Sequence, residues 1–452
     1  MLCSLMISVG CSKDYLDKKP ASNLNVPTTL ADMLLLLDNT SDFRSPSLGQ
    51  LSSDDVLLGD KEWLLQTKPY FANTYVWAAD IFEGQGAIED WKQPYGEILA
   101  TNVVLQQLAK MERTSLNAVD YDDIKGMALF KRAYAFFDLV QVFAMPYNAQ
   151  TASSDWGIPI RLTADINAPN VRATMKQTYD QILMDAQSAK GLIKTSYQRN
   201  YFNRPSKAAA YGFLSRVFLS LRDYEQAGKY ADSALQIHDD LLDYNSLNTT
   251  SRVPFQLVND EQLFLKYLSG NDPMIYIYSA QGYGIDTLLY NSYAESDLRK
   301  VVFFTKNGST INKKGGYSGS ASLENSIATD ELFLTRAECY ARLGREQEAL
   351  LDLNTLLVKR YKKGTYVPIA GLTGRVLINK VLLERRKELV MRGLRWFDLR
   401  RLNMDGENIT LSRKLNGLTY VLPPNDPRYA LPIPPDVIQY SSMPQNNRLQ
   451  SN

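Results

Sequence analysis

Glu384 and Glu388 stand four residues apart in Glu384-Arg385-Arg386-Lys387-Glu388, a spacing that puts two carboxylates on one face of a helix. Paired carboxylates are the machinery of glycoside hydrolysis, which needs one of them protonated at working pH. Here Arg385, Arg386, Lys387 and Arg392 crowd around the pair, and cations at that range hold both carboxyls ionised. The pattern predicts structural ion pairing, not catalysis. Other nucleophilic chemistry lacks raw material. The 452 residues contain one histidine, His238, and three cysteines, of which Cys3 and Cys11 lie at the extreme N-terminus. Cys339 is therefore alone in the body, in an apolar helical stretch where it reads as a small buried hydrophobe. Asp54-Asp55 near Gly59 predicts a loop cap rather than a calcium site, because two adjacent acids are too few ligands. Lys313-Lys314-Gly315-Gly316 lacks the spacing of a phosphate loop and predicts a solvated turn. No cofactor and no metal is expected.

What the chain does offer is aromatic surface chemistry, with 27 tyrosines and 5 tryptophans. Flat rings stack on apolar sugar faces or grip peptides, while amides and carboxylates hydrogen-bond hydroxyl groups. Two stretches without helical period combine both residue types. The first runs from Tyr70 to Glu89 and supplies Trp77, Asp80, Phe82 and Gln85. The second supplies Gln281, Tyr283, Tyr290 and Asn291, with Tyr283 set between Gly282 and Gly284. These eight residues are the candidate ligand contacts. Trp91 and Trp396 lie on helical stripes and are expected in the core. The 50 basic and 49 acidic side chains nearly cancel, so there is no electrostatic footprint for nucleic acid or for an anionic membrane surface.

The elements that must carry these stretches are mostly helical. Tyr211, Leu214, Ser215 and Phe218, followed by Ala227, Ala231 and Ala234, have the spacing of a tetratricopeptide unit. A second unit has Phe333, Ala337 and Tyr340, then Ala349, Leu353 and Leu356, and the turns after Leu221 and Leu343 match in length. Further pairs are expected, giving helical hairpins near 88–142, 174–237 and 328–361, with a long charged helix carrying Ile378, Leu382 and Leu389 and ending near Gly393. Residues 243–325 read as a large loop-rich excursion, with Met274–Tyr278 as a short strand. The segment after Tyr420, full of prolines, is expected to be extended. The fold class is mostly α: a tetratricopeptide-like helical repeat scaffold with a large irregular insertion. It forms one domain over 11–452, residues 1–10 being a signal peptide.

That last assignment rests on Leu5-Met6-Ile7-Ser8-Val9-Gly10 running into Cys11, the pattern of a leader whose cysteine becomes the lipidated first residue. The basic flank that normally precedes such a run is missing, which suggests a true start codon further upstream. No later apolar run approaches the length of a membrane span, so a lipid on Cys11 would be the anchor.

Several motifs in chain order carry a resemblance. They are Arg132-Ala133-Tyr134-Ala135-Phe136-Phe137-Asp138-Leu139, Gly157-Ile158-Pro159, Arg204-Pro205-Ser206-Lys207-Ala208-Ala209-Ala210, and Glu384–Leu389 continuing through Gly393-Leu394-Arg395-Trp396-Phe397-Asp398-Leu399-Arg400-Arg401. Leu431-Pro432-Ile433-Pro434-Pro435 and Gln445-Asn446-Asn447 close the set. Together these resemble the SusD/RagB family over essentially the whole chain, and Cys11-Ser12-Lys13-Asp14 is similar to the export tag of surface lipoproteins of the Bacteroidetes. One departure stands out: Arg392 occupies a place where the family usually has glutamate, which puts one ion pair in doubt. The resemblance implies a non-catalytic outer-membrane lipoprotein facing the exterior. Such a protein captures oligosaccharides, or peptides in some members, for import through a SusC-type TonB-dependent barrel. A tetratricopeptide protein–protein adaptor is the alternative from a different class.

Overall fold

The computed structural model describes residues 26–448, apart from 42, 87, 195–200 and 271–272. Cys11 and the leader lie outside the described residues. The scaffold begins with Glu89–Leu108 and Ala118–Phe143, two long helices packed against each other. From Met127 to Phe143 the second of these is buried on every side, a mostly apolar run in which Lys131, Arg132, Asp138 and Gln141 are buried as well. It packs next on Met175–Leu192, whose start is set by a reciprocal capping box between Thr174 and Gln177.

Two helical hairpins follow. Lys207–Leu221 pairs with Tyr224–Leu235, and Thr329–Arg342 pairs with Glu346–Leu357. The turns matched by sequence are conformationally equivalent: Arg222 has φ 62° where the second hairpin has Gly344 at φ 75°. The left-handed pivot suits glycine, and Arg222 tolerates it with its guanidinium donating to the Tyr147 carbonyl at 2.7 Å. The hairpins meet where Tyr224–Leu235 lies on Thr329–Arg342. Closeness there depends on Gly228, whose missing Cβ would stand 3.0 Å from Cβ of Cys339. Cys339 is fully buried, and burial pushes its thiol far above the ordinary range.

Buried charge pairs lock helix to helix. Arg132 grips Asp185 through two bonds of 2.8 Å. Arg216 holds Glu331 at 2.8 and 2.6 Å and also donates to Tyr134 Oη at 2.5 Å. Around Tyr134 the rings of Phe130, Phe213 and Phe264 form an aromatic core, with Tyr134 stacked on Phe213 at 4.9 Å. The charged helix is Gly374–Glu388, ending five residues before Gly393, and Arg395–Met404 follows it.

Three sequence expectations are corrected here. Met274–Tyr278 is a 3₁₀ turn, not a strand, because Met274, Ile277 and Tyr278 are buried while Ile275 and Tyr276 face out, a helical rather than alternating pattern. Lys313 and Lys314 are buried rather than solvated, with Lys314 Nζ donating to the carbonyls of Thr249 and Val301 at 2.6 and 2.8 Å. The C-terminal stretch is not simply extended, since Pro435–Ser441 is a short helix.

Candidate functional site

The loop-rich excursion is tied to the N-terminal part by a short antiparallel pair. Val56–Leu58 runs against Tyr283–Ile285, with Leu58 opposite Tyr283. The pairing extends through Gly59, whose N–H donates to the Gly282 carbonyl at 2.8 Å. The short helix Asp60–Leu64 then lays Glu62 on Gly282. A Cβ there would fall 2.2 Å from Glu62 Cδ, and φ is +75°, so glycine lets the two segments meet here without strain. This docking brings Gln66 to the excursion: its Nε2 donates to the Glu62 carbonyl at 2.6 Å and to Tyr283 Oη at 3.3 Å.

Tyr283 and Tyr276 form an aromatic pair with ring centroids 5.1 Å apart and planes tilted 47°. Tyr276 is 42% exposed, and Tyr283 is half-buried. Beside them Gln281 is exposed and donates to Asn307 Oδ1 at 3.4 Å, while Asn307 Nδ2 donates to the Ser279 carbonyl at 2.9 Å. The same short helix carries a second pair. Trp63 lies 6.0 Å from Tyr420, on the hairpin of Leu411–Leu415 and Leu418–Leu422, and the backbone N–H of Asn416 in its turn donates to Asp60 Oδ1 at 3.0 Å. Trp63 is fixed by its indole N–H donating to the Ala72 carbonyl at 3.0 Å. This face, around the short helix, carries two half-exposed aromatic pairs, with the amides of Gln66, Gln281 and Asn307 beside the first. Such a surface can stack apolar ring faces and hydrogen-bond hydroxyl groups.

The structure divides the eight sequence candidates. Gln281 and Tyr283 lie on this face. Tyr290 and Asn291 sit in the helical turn Thr287–Asn291, where Tyr290 is half-buried edge-on to Phe304 with Lys300 and Lys306 over its ring. Asp80 and Gln85 are exposed on a different loop, and Asp80 Oδ1 accepts the backbone N–H groups of Phe82 and Glu83. Asp80 and Phe82 border a 580 Å³ cleft closed by the C-terminal Pro432–Arg448 stretch, not by the excursion.

Trp77 is a correction. It is 1% exposed, its indole N–H donates to the Ser52 carbonyl at 2.9 Å, and Arg413 covers its ring, so no ligand can stack on it. Phe82, also 1% exposed, belongs to the core by the same reasoning. Sequence reasoning missed Trp63, Gln66, Tyr276 and Tyr420. The clue was Trp63-Leu64-Leu65-Gln66, an apolar cluster starting four residues after Gly59, and Tyr276 was hidden by the strand expectation.

The carboxylates that tempted a catalytic reading are buried and paired. Arg299, fully buried, donates to Asp297 at 2.9 and 2.7 Å, to Glu384 at 2.5 Å and to Glu388 at 3.0 Å. Burial alone would raise Glu384, but Arg299, Lys387 and Lys380 outweigh it and hold the carboxyl at about 2. Glu261 is pushed up to about 7 by burial, yet it is sealed in the core with Arg360 and cannot reach a substrate. Asp54 and Asp55 are neither a loop cap nor a metal site. Asp54 takes both bonds of Arg395 at 2.7 and 2.8 Å, and Arg386 reaches Asp55 at 3.2 Å. Among the described residues no cluster of histidine, cysteine and acidic side chains could hold a metal. Arg392, the departure noted in the sequence, makes its own pair with Asp330 at 3.1 Å and lies 4.8 Å from the Tyr317 ring centre.

Comparison with known proteins agrees with this architecture. The profile of a family described as starch-binding and associating with the outer membrane matches residues 14–219, and the profile of the SusD family matches residues 284–447. SusD-like protein P2 of Formosa agariphila is 25% identical over 424 residues, covering 79% of each chain. Among solved structures, a SusD superfamily protein of Bacteroides thetaiotaomicron superposes with a TM-score of 0.76 at 21% identity, covering 93% of this chain and 100% of that one. Surface glycan-binding protein A of Bacteroides uniformis gives 0.68 at 15% identity, covering 93% and 99%. The chain belongs to the SusD/RagB family. Its members are binding proteins without catalytic activity, and this chain is not an enzyme.

Proposed function

We propose that the chain is a carbohydrate-binding protein of the outer-membrane surface that captures oligosaccharides on the Tyr276–Tyr283 and Trp63–Tyr420 face. The observation that carries this reading is the face itself: two half-exposed aromatic pairs flanked by Gln66, Gln281 and Asn307, an arrangement suited to uncharged, hydroxyl-rich ligands. The family description and the printed names of the relatives, among them a glycan-binding surface protein, support it. No helix among the described residues is long and apolar enough to cross a membrane, so lipidation of Cys11 would supply the anchor. Delivery would then be to a SusC-type TonB-dependent barrel.

Binding of purified protein to a panel of soluble polysaccharides, read by retardation in affinity gels, tests the reading. Wild-type protein should be retarded by at least one glycan, and the Tyr276→Ala/Tyr283→Ala double variant should migrate as in a glycan-free gel. Retardation unchanged in the double variant would remove the face from the site.

A further inference from the structure

A second concavity lies away from the aromatic face and shares no residue with it. It is a 330 Å³ cleft bounded by the Glu89–Leu108 helix, the loop after Pro159 and the terminal Pro435–Ser441 helix. Its volume falls at the lower end of the range for small-molecule sites. Trp91, expected in the core and 8% exposed, and the partly buried Tyr95 line it with ring centroids 4.9 Å apart. Tyr440, 87% exposed, stands at the rim with nothing packed over it.

The polar lining divides into two sets. Asn102 is fully used, donating to the carbonyls of Arg161 and Thr163 at 2.9 and 3.1 Å and accepting from Arg132 at 2.9 Å. Arg161 braces its own loop through Ala168, Asn170 and Asp165. By contrast, the side chains of Thr163 and Tyr440 make no hydrogen bond among the described residues, while Asp436 turns Oδ1 away from solvent toward Gly86.

We infer that this cleft is a second saccharide site, one that takes a short oligosaccharide or a chain end on the Trp91–Tyr95–Tyr440 rings. Thr163 and Tyr440 then face its hydroxyl groups. Uncharged polyols suit the lining, because they offer both donors and acceptors and an apolar ring face to stack. The inference rests on the proposal that the chain binds carbohydrate. It assigns a different place for small ligands, an enclosed cleft rather than an open face.

The test is calorimetric titration of the full chain with a panel of trisaccharides, namely maltotriose, cellotriose, xylotriose and laminaritriose. It compares wild type, Tyr440→Ala, Thr163→Val and the Tyr276→Ala/Tyr283→Ala double variant. Loss of one stacking ring weakens binding by about three- to tenfold. The expected result is at least one trisaccharide with a binding event that weakens by that factor in Tyr440→Ala and weakens in Thr163→Val, and that persists in the double variant after binding at the aromatic face is lost. Tyr440 is exposed enough that its variant should melt as wild type does. Trisaccharide binding abolished in the double variant and unchanged in Tyr440→Ala overturns the cleft and leaves the aromatic face standing. No binding by wild type of any trisaccharide or of any polysaccharide overturns both.

Discussion

Replacing Arg299 by methionine probes the buried ionic cluster that the sequence offered as a false catalytic motif. The substitution keeps most of the volume and removes the guanidinium that joins Asp297, Glu384 and Glu388. Those carboxylates would be left with Lys387 at 2.8 Å from Asp297, Lys380 at 2.7 Å from Glu384 and Arg360 at 2.6 Å from Glu388. Two routes give the magnitude. Breaking a buried pair from one side costs about 3–5 kcal/mol. Independently, a carboxyl held at about 2 instead of the ordinary 4.5 contributes roughly 3 kcal/mol, with Arg299 the largest of its three cations. For a chain of this length that is a fall in Tm of roughly 3–6 °C.

The pH dependence follows from the direction of the shift. Glu384 and Asp297 are both held below their ordinary values, so their stabilisation is complete above about pH 5 and fades toward pH 2 as they protonate. The wild-type protein should therefore lose more stability on acidification than Arg299→Met, and the gap between them should narrow. Thermal melts at pH 7 and pH 4 read both quantities. An Arg299→Met protein as stable as wild type, or a gap that widens in acid, would refute the reasoning.

Trp77→Phe should lower stability by about 1–3 kcal/mol, because the Ser52 carbonyl loses its buried donor, with glycan affinity unchanged; a fall in affinity without loss of stability would restore Trp77 to the site. Gly228→Val should cost about 1–3 kcal/mol in denaturant titrations by forcing Tyr224–Leu235 away from Cys339, and a neutral result would mean the hairpins do not meet there as described. Cys339 should resist alkylation in native protein at pH 8 and label at once in denaturant, since burial keeps its thiol protonated; rapid native labelling would contradict that burial.

Several helices were readable because an apolar period or a cap is written in their own sequence. Thr174 with Gln177 marks one start, and the left-handed turn at Arg222 or Gly344 was visible as two turns of equal length. The buried ionic clusters were half readable. Arginines beside Glu384 and Glu388 predicted pairing, but the decisive partner, Arg299, lies 85 residues away and no local pattern connects them. The site was the least readable part. Trp77 lies in a stretch without helical period and so reads as a candidate contact, yet its ring is covered by Arg413 from a hairpin more than 300 residues later. Tyr420 and Trp63 become neighbours only through that same hairpin. Burial in non-periodic segments is set by what folds over them, and single residues carry no record of it.

The central claim is that oligosaccharides are held on the face built by Tyr276, Tyr283, Trp63 and Tyr420. A crystal structure of the protein with the tightest-binding glycan of the polysaccharide panel, supplied as its oligosaccharide, tests this most directly. Sugar rings should stack against the Tyr276–Tyr283 pair with hydroxyl groups bonded to Gln66, Gln281 or Asn307. An ordered glycan bound elsewhere, with this face bare, would contradict it.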